Sequence, residues 1–251
     1  MVVRPELSGP SMTAYPRILP SGDTALTVEF GSSVDPEINR RVLALDRSMA
    51  SETVRGVSET VPTYRSLLVH YDPLQIGYTE LSDKLLALAQ QPLPAETGIR
   101  RWRVPVVYGG EYGIDLDDVA RAHNISTSEV IAKHIGSEYR VAMIGFTPGF
   151  AYLSGLDPSI ATPRRASPRT HTPPGTISIG GVQACVQCLA APSGWHLLGR
   201  TPVRTFHPHR DPVFLMEPGD AVIFHAIAAN EFAALDRAAE RGETVAELIG
   251  S

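Results

Sequence analysis

The residues best suited to chemistry lie between Gly145 and Arg210, where the charge is one-sided. This stretch contains one acidic residue, Asp157, and six arginines: Arg164, Arg165, Arg169, Arg200, Arg204 and Arg210. A guanidinium presents paired N–H donors that match a carboxylate or a phosphate. Because the whole chain carries a net charge of −5, this basic segment predicts a pocket for a small anion rather than for a nucleic acid.

Cys185 and Cys188 form a Cys-x-x-Cys pattern, which can mark a redox or zinc site. Redox motifs of this kind begin a helix, whereas this one lies in a predicted strand, where an offset of three places the thiols on opposite faces. A zinc site needs further ligands, and the available histidines are only loosely placed: His196, His207 and His209. We therefore predict no metal site.

The length and composition of the sequence limit the classes of protein to which the chain can belong. A chain of 251 residues forms one large domain or two smaller ones. It contains no apolar run near the ~20 residues of a membrane span and no Lys/Arg block for nucleic acid or anionic membranes. Two cysteines make no disulfide framework, which favours a reducing cytoplasm. The lysines lie outside any GxxxxGK[ST] context, so no P-loop is predicted.

The elements that must position these residues fall into two predicted domains. Residues 1–14 are predicted to be a disordered tail, residues 15–92 a small α+β domain of order β-β-α-β-β-α, and residues 93–98 a linker. The first domain is predicted to contain the strands Arg17–Pro20, Thr24–Phe30, Val57–Val61 and Tyr64–Tyr71, with helices starting after Asp35 and near Thr79.

Residues 99–230 are predicted to be a strand-rich, turn-rich barrel or sandwich, followed by a C-terminal helix within residues 231–251. The predicted strands include Arg101–Tyr108, Glu138–Ile144, Thr176–Ile179, Val182–Val186, Pro212–Leu215 and Ala221–Ile227. The predicted helices are Asp115–His123, Ser126–Ile135 with a capping box, and the closing Glu231–Arg241.

Five sequence runs, in order, resemble the signature of the family of 5-oxoprolinase B subunits, also called the KipI or allophanate hydrolase subunit 1 family. The resemblance covers roughly residues 15–230. The runs are Gly145–Leu153 (GFTPGFAYL), Pro163–Arg169 (PRRASPR), Pro173–Gly181 (PPGTISIGG), Pro192–Pro202 (PSGWHLLGRTP) and Glu217–Phe224 (EPGDAVIF), and the upstream Leu19–Gly31 and Val104–Ala120 agree.

The resemblance implies an α+β fold with a small α/β N-terminal domain followed by a cyclophilin-like β-barrel domain. It implies two partner proteins, a 5-oxoprolinase C-type subunit of related barrel fold and an A-type subunit. Together these would open 5-oxo-L-proline to L-glutamate with ATP and Mg at the level of the complex. No biotin is expected on this chain, and little or no activity is expected of it alone.

Two other functions stay open at this point. One relative of the family inhibits a sensor histidine kinase, so a regulatory binding protein is an alternative. The paired barrels also resemble the carboxyltransferase part of urea carboxylase, so a urea or amide carboxyltransferase component is another. The chain departs from the usual family run at Ala184–Cys188, which leaves the identity of the substrate open.

The substrate that the resemblance implies carries a carboxylate and a lactam, and this assigns candidate roles. Arg164 and Arg169 are the candidate fork for the carboxylate, with ion pairing to acids as the alternative. Gly175 and Gly180-Gly181 are candidates for backbone N–H groups that approach the lactam oxygen closely. His171 is a weak candidate for the general base, with a surface residue as the alternative.

Four further residues are candidates for the wall of the pocket. Phe146, Phe150 and Tyr152 would form an apolar lining with one polar tip, although aromatic residues in strands more often belong to the core. Gln183 offers two donors and an acceptor to a lactam, with a structural amide as the alternative. The remaining two conspicuous residues are predicted to serve packing and loop support: Trp195 and Arg200.

Overall fold

The computed structural model describes residues 14–95 and 98–250. The predicted disordered tail, residues 1–14, therefore lies outside the described residues except for its last position, and so do residues 96 and 97 of the predicted linker. The chain divides into two units, the first ending at Pro94 and the second beginning at Ala95. This division falls inside the segment 93–98.

The first unit is a four-stranded antiparallel sheet, in the order β1-β2-β4-β3, with two helices. Its element order, β-β-α-β-β-α, is the one that the turn and cap signals predict. The elements are β1 (Arg17–Pro20), β2 (Ala25–Glu29), α1 (Pro36–Glu52), β3 (Val57–Pro62), β4 (Ser66–Tyr71) and α2 (Tyr78–Ala89).

Helix α1 begins where the sequence places it. The Asp35 carboxylate accepts hydrogen bonds from the backbone N–H groups of Glu37 and Ile38, at 2.8 and 3.2 Å, which satisfies two of the donors that a helix start leaves unpaired. The helices bury apolar side chains against alternate residues of the sheet, among them Leu45 of α1, Leu85 of α2 and Leu67 of β4. Removal of these side chains from water stabilises the unit.

The second unit is built on an eight-stranded sheet whose order is β12-β9-β10-β7-β6-β13-β5-β14. Its elements are β5 (Arg101–Tyr108), α3 (Leu116–His123), α4 (Thr127–Ile135), β6 (Tyr139–Ile144), β7 (Ala151–Ser154), a short 3-10 helix (Pro158–Ile160), β8 (Arg169–Thr172), β9 (Thr176–Gly180), β10 (Gln183–Val186), β11 (Ala191–Ser193), β12 (His196–Arg200), β13 (Ala221–Ala226), α5 (Ala229–Glu240) and β14 (Glu247–Gly250).

The sheet closes into a seven-stranded barrel because β12 pairs with β5 as well as with β9. Strand β13 pairs with β5 in parallel, and the other pairings within the barrel are antiparallel. Strands β8 and β11 form a separate two-stranded sheet. The mixed α+β architecture and the β-barrel of the second unit are thus confirmed.

Along three neighbouring strands, β7, β9 and β10, successive side chains point alternately into the barrel core and to its outer face. Ala184 and Val186 of β10 belong to the barrel core, and so do their counterparts in β7 and β9. The residues between them, Tyr152 in β7, Ser178 in β9 and Cys185 in β10, therefore point to the other side. The outer face of β7, β9 and β10 carries the candidate site.

The prediction of a strand at Pro212–Leu215 is wrong. These residues form an irregular loop with a single β-bridge between Phe206 and Phe214. The nearly buried Arg210 side chain fixes this loop by donating hydrogen bonds to the carbonyl oxygens of Arg204, Pro212 and Val213. Hydrogen bonds from this side chain to backbone carbonyl groups replace the strand pairing that the apolar sequence pattern predicts.

The C-terminal segment 231–251 is not one helix. Helix α5 covers Ala229–Glu240, Gly242 follows with φ +88°, and β14 pairs antiparallel with β5. The left-handed conformation at a glycine is a common way to end a helix.

No helix in the described ranges is long and apolar enough to cross a bilayer.

Candidate functional site

An aromatic cluster lies on the outer face of the barrel and consists of Phe146, Phe150, Tyr152 and Trp195. Ring centroids are 5.6 Å apart for Phe146 and Phe150, 4.6 Å for Phe150 and Tyr152, and 6.0 Å for Tyr152 and Trp195. The three inner members form a group separate from the barrel core, together with Cys185. Three residues that the sequence singles out for a pocket thus contact one another.

Trp195 reaches the cluster because β9 ends in a glycine. A Cβ atom at Gly180 would lie 2.7 Å from the Trp195 ring, so any larger residue would displace the indole. Gly180 therefore makes room for a ring, and this corrects its proposed role in approaching a ligand. The neighbouring Gly181 N–H donates to the Thr162 carbonyl at 2.7 Å and is likewise occupied.

Phe146 is the most accessible member of the cluster, with 62% of its surface exposed. Its φ of +66° is a left-handed conformation that non-glycine residues rarely adopt. Such conformations persist only where the surroundings enforce them, often at functional sites. The exposed ring stands edge-on to the buried Phe150 ring, so the cluster has one open side.

The floor of the cluster is a pair of small polar side chains. Cys185 lies opposite Tyr152 on one side and Ser178 on the other, and its sulphur is 3.1 Å from the Ser178 hydroxyl. Burial raises the pKa of the Cys185 thiol to about 12, so the thiol stays protonated at neutral pH and is a poor nucleophile or metal ligand. Burial also raises the pKa of the Tyr152 hydroxyl.

The second thiol of the Cys-x-x-Cys pattern points elsewhere. Cys188 is buried beyond the end of β10 and contacts the backbone of Phe206, with sulphur to oxygen at 3.4 Å. Both cysteines are free. The two thiols therefore serve packing at separate places.

Arg164 is the cation of the site. Its guanidinium carbon lies 5.6 Å from the centre of the Trp195 ring, in the range of a cation–π contact. Alone among the six arginines of the basic segment, it has no carboxylate or carbonyl partner within the described residues. The partners of the other five are Asp115 for Arg165 and Arg169, Pro174 O for Arg200, Asp236 for Arg204, and the loop carbonyls for Arg210.

Arg169 does not serve as a free fork. Its two terminal nitrogens donate to the two carboxylate oxygens of Asp115, at 2.9 and 2.6 Å, and Arg165 adds a third donor at 3.1 Å. This is the bidentate geometry expected with a ligand carboxylate, but the acid comes from within the chain. The alternative of ion pairing therefore holds for Arg169.

Gly175 and His171 also lie outside the cluster's contacts. The Gly175 N–H donates to the Gln187 carbonyl at 2.8 Å, and a Cβ there would lie 2.1 Å from the Thr201 carbonyl oxygen. The glycine is needed for close chain packing, which corrects its proposed role. His171 is exposed in β8, and its ring makes no hydrogen bond within the described residues, so its role as a base stays a prediction without support.

Gln183 keeps its candidacy through its position. It is half-buried at the start of β10, two residues before Cys185, and so faces the same side of the strand as the cluster. Its register partner is Gly180, over which the Trp195 ring lies. The candidate site therefore comprises the aromatic cluster, Arg164 and Gln183.

Asp115 is the site residue that sequence reasoning misses. Only 2% of its side chain is exposed, and it receives Arg165, Arg169 and the backbone N–H of Leu197 at 2.8 Å. In the sequence, Asp115 matches the pattern of an ordinary helix start before α3. The excess of arginines between Gly145 and Arg210 is the one signal that a distant acid is required.

The described residues offer no cluster of metal ligands near the candidate site. They contain no group of three or more His, Cys, Asp or Glu side chains placed to hold a metal ion, and the sequence has no P-loop. The single guanidinium and the neutral aromatic rings of the site lack the carboxylates that Mg²⁺ prefers. The residues of the candidate site therefore do not fit Mg²⁺.

Comparison with known proteins gives one consistent family. Residues 16–216 match the family model described as carboxyltransferase domain, subdomain C and D. The chain is 34% identical over 235 residues to the B subunit of 5-oxoprolinase from Bacillus subtilis (strain 168), covering 88% of this chain and 97% of that one. It is 35% identical to the B subunit of 5-oxoprolinase from Escherichia coli O157:H7, with 81% and 92% coverage.

A solved structure, TTHA0988, has the same fold. It superposes with a TM-score of 0.73 at 36% identity over 82% of this chain. The matched region is 40% of the longer TTHA0988 chain.

Proposed function

We propose that this chain, which belongs to the family described as carboxyltransferase domain, subdomain C and D, is the B subunit of a 5-oxoprolinase. The proposed reaction adds water across the lactam of 5-oxo-L-proline, so that the C–N bond breaks and L-glutamate forms. Support comes from two curated relatives named as B subunits of 5-oxoprolinase, each 34–35% identical over most of both chains. The assembly would be a hydrolase to which this chain contributes a binding surface.

The observation that carries the proposal is the one uncommitted guanidinium of the basic segment, which lies beside an aromatic cluster. Arg164 presents its donors on the outer face of the barrel, next to Trp195 and Tyr152. A five-membered lactam with one carboxylate has a flat, largely apolar ring and one negative charge. The carboxylate would pair with Arg164, and the ring would pack on the exposed edge of the aromatic cluster.

The polar end of the lactam needs donors and an acceptor. Gln183 faces the same side of β10 as Cys185 and carries both kinds of group. In the proposed complex its amide would hydrogen-bond the lactam C=O or N–H. Because the Cys185 thiol is protonated, the nucleophile is water and not this sulphur.

ATP use belongs, in this proposal, to a partner chain. The described residues hold no cluster of ligands for the Mg²⁺ that accompanies ATP, so no step of the reaction is assigned to them through ATP. The partners would be an A-type and a C-type subunit of 5-oxoprolinase. This chain alone would bind substrate and turn over little or none of it.

The experiment is reconstitution with the two candidate partner chains. Glutamate formed from 5-oxo-L-proline and ATP is measured with all three proteins and with each one omitted. We expect glutamate only when this chain and both partners are present. Equal glutamate formation with and without this chain would contradict the proposal, and inhibition of a sensor histidine kinase by the same preparation would then favour a regulatory protein.

A carboxyltransferase component is the second candidate, favoured by the name of the matched family model. Such a reaction would transfer a carboxyl group from carboxybiotin on another protein to urea or an amide. Addition of avidin, which sequesters biotin, distinguishes the two. Glutamate formation that is unaffected by avidin supports the 5-oxoprolinase, whereas avidin-sensitive carboxylation of urea supports the second candidate.

A further inference from the structure

A buried carboxylate lies behind the candidate site and binds two arginines at once. The Asp115 side chain, 2% exposed, accepts two hydrogen bonds from Arg169 and one from Arg165. It also accepts one from the Leu197 N–H of β12. The four donors come from two parts of the chain, so the carboxylate joins the segment Pro163–Arg169 to the start of β12.

The backbone of the segment Pro163–Arg169 is also tied to Gly194, just before β12, and to His196 at its start. The Arg165 N–H donates to the Gly194 carbonyl at 2.7 Å, and the His196 Nε2 lies 2.9 Å from the Pro163 carbonyl oxygen. Arg164 is the residue between these two attachments. Its side chain consequently lies over Trp195, the residue between Gly194 and His196.

The Arg164 side chain makes few contacts of its own that would hold it in this position. Its guanidinium contacts the indole ring and interacts electrostatically with Tyr152, and a cation–π contact at an exposed position is weak. Arg165 and Arg169, both half-buried, would repel each other without the carboxylate between them. Loss of the Asp115 charge would therefore loosen the segment that carries Arg164.

We propose that Asp115 is a positioning residue for the substrate-binding guanidinium: it holds Arg164 over Trp195 by fixing Arg165 and Arg169 against β12. The effect on substrate rests on the proposed function of Arg164, whereas the effect on geometry does not. Asp115 lies behind the site and is assigned no contact with substrate. Its charge acts through the two neighbouring arginines.

The geometric test uses the NMR signal of the Trp195 indole N–H in the full-length chain. Trp195→Phe assigns the signal, and Arg164→Ala defines the shift caused by removal of the guanidinium. Asp115→Asn should move the Trp195 signal in the same direction as Arg164→Ala. Asp118→Asn is the matched control, because Asp118 lies in the first turn of α3, directly after Asp115, in an exposed ion pair with Arg121, and it should leave the signal in place.

Two results would overturn the inference on geometry alone. A Trp195 signal that moves in Arg164→Ala but stays in place in Asp115→Asn means that Asp115 does not position the guanidinium. A signal that is unmoved even in Arg164→Ala means that Arg164 does not lie on the ring. Neither result depends on activity, so each is separate from a failure of the proposed function.

The functional test is a double-mutant comparison in the reconstituted assembly. Asp115→Asn should raise the KM for 5-oxo-L-proline by roughly tenfold and change kcat much less. In an Arg164→Ala background it should have no further effect, because the residue that it positions is absent. Equal KM effects of Asp115→Asn in both backgrounds would reveal a general structural role and contradict the proposal.

A milder variant covers the case in which Asp115→Asn does not fold. Arg165→Gln removes one of the tethers and keeps the Arg169 pair with Asp115 intact. It should shift the Trp195 signal and raise KM in the same direction, by a smaller factor. An unchanged signal and an unchanged KM in folded Arg165→Gln would count against the inference.

Discussion

Arg164 differs from its neighbours only in what surrounds it. The sequence shows six arginines in a nearly acid-free stretch, and this composition is enough to predict an anion site. It does not indicate which guanidinium is available, because Asp115, the partner of Arg165 and Arg169, lies 50 and 54 positions away. Such a long-range pairing is decided by the closure of the barrel, which one-dimensional patterns do not contain.

Phe146 offers a test of local geometry at the open side of the cluster. Its φ of +66° costs roughly 1–2 kcal/mol for a residue with a Cβ and nothing comparable for glycine. We therefore expect Phe146→Gly to be more stable than Phe146→Ala by about 1 kcal/mol, in contrast to the usual order. Denaturant unfolding of the two variants measures the difference.

The comparison of glycine with alanine is internally controlled, because both variants lose the ring contact with Phe150 equally. If the alanine variant is the more stable of the two, the left-handed conformation at position 146 is incorrect. The positions of the exposed ring and of the open side of the site would then need revision.

At the scale of secondary structure, two features determine where the candidate site lies. Side chains alternate between the two faces of the strands, and glycines allow neighbouring segments to pack closely. The local signals predict several elements well: the Asp35 cap of α1, the Ser126–Glu129 capping box of α4 and the strand β5. They fail where non-local contacts decide, as in β14, whose pairing partner β5 lies far away along the chain. A short apolar run carries no information about which partner strand it meets.

Gly113 tests the packing of the segment before Asp115 against β12. A Cβ at this position would lie 1.9 Å from the Leu198 carbonyl oxygen, and backbone atoms cannot move aside cheaply. We expect Gly113→Ala to lower the free energy of unfolding by about 2–3 kcal/mol. Gly145→Ala is the control, because its Cβ would meet nothing within 4 Å and should change stability by less than about 1 kcal/mol.

Both variants are measured by denaturant unfolding under identical conditions. Equal stability of Gly113→Ala and Gly145→Ala would show that the segment before Asp115 does not approach β12 as closely as described. The anchoring of Asp115 to Leu197 would then lose its structural basis.

Helix α4 is attached to the barrel through a fully buried histidine. His134 stacks on Phe224 at 4.8 Å between ring centroids, and its Nδ1 is 2.8 Å from the Tyr108 hydroxyl. Burial lowers the pKa of His134 from 6.5 to about 3, so the ring is neutral in the folded protein. The unfolded chain takes up a proton near pH 6.5, which favours unfolding as the pH falls.

This difference predicts the pH dependence of stability. The contribution of His134 is fully present above pH 6.5 and is lost as the pH falls towards 3, by at most about 1.4 kcal/mol per pH unit. Unfolding free energies measured by denaturant between pH 7 and pH 4 should fall less steeply in His134→Phe than in the original chain. The exposed His209→Asn should keep the original slope, and an unchanged slope in His134→Phe would contradict the buried neutral ring.

At the scale of the whole molecule, the chain has the features of one part of a larger enzyme. Residues 16–216 match the carboxyltransferase domain family, and the relatives that the chain covers almost fully are named as subunits. Five sequence runs are enough to indicate the family, and the first unit follows the predicted order of elements. Which arginine lies beside the aromatic cluster without a carboxylate partner among the described residues follows only from the three-dimensional structure.

The most direct test of this account is the kcat/KM for 5-oxo-L-proline of the reconstituted three-protein assembly with Arg164→Ala in this chain. The matched control is Arg121→Ala, which removes an exposed arginine from α3. We predict a loss of roughly 100-fold or more for Arg164→Ala, in line with a charge-assisted hydrogen bond of about 3 kcal/mol, and no loss for Arg121→Ala. Full activity of the Arg164→Ala assembly would contradict the assignment of the substrate site to the outer face of this barrel.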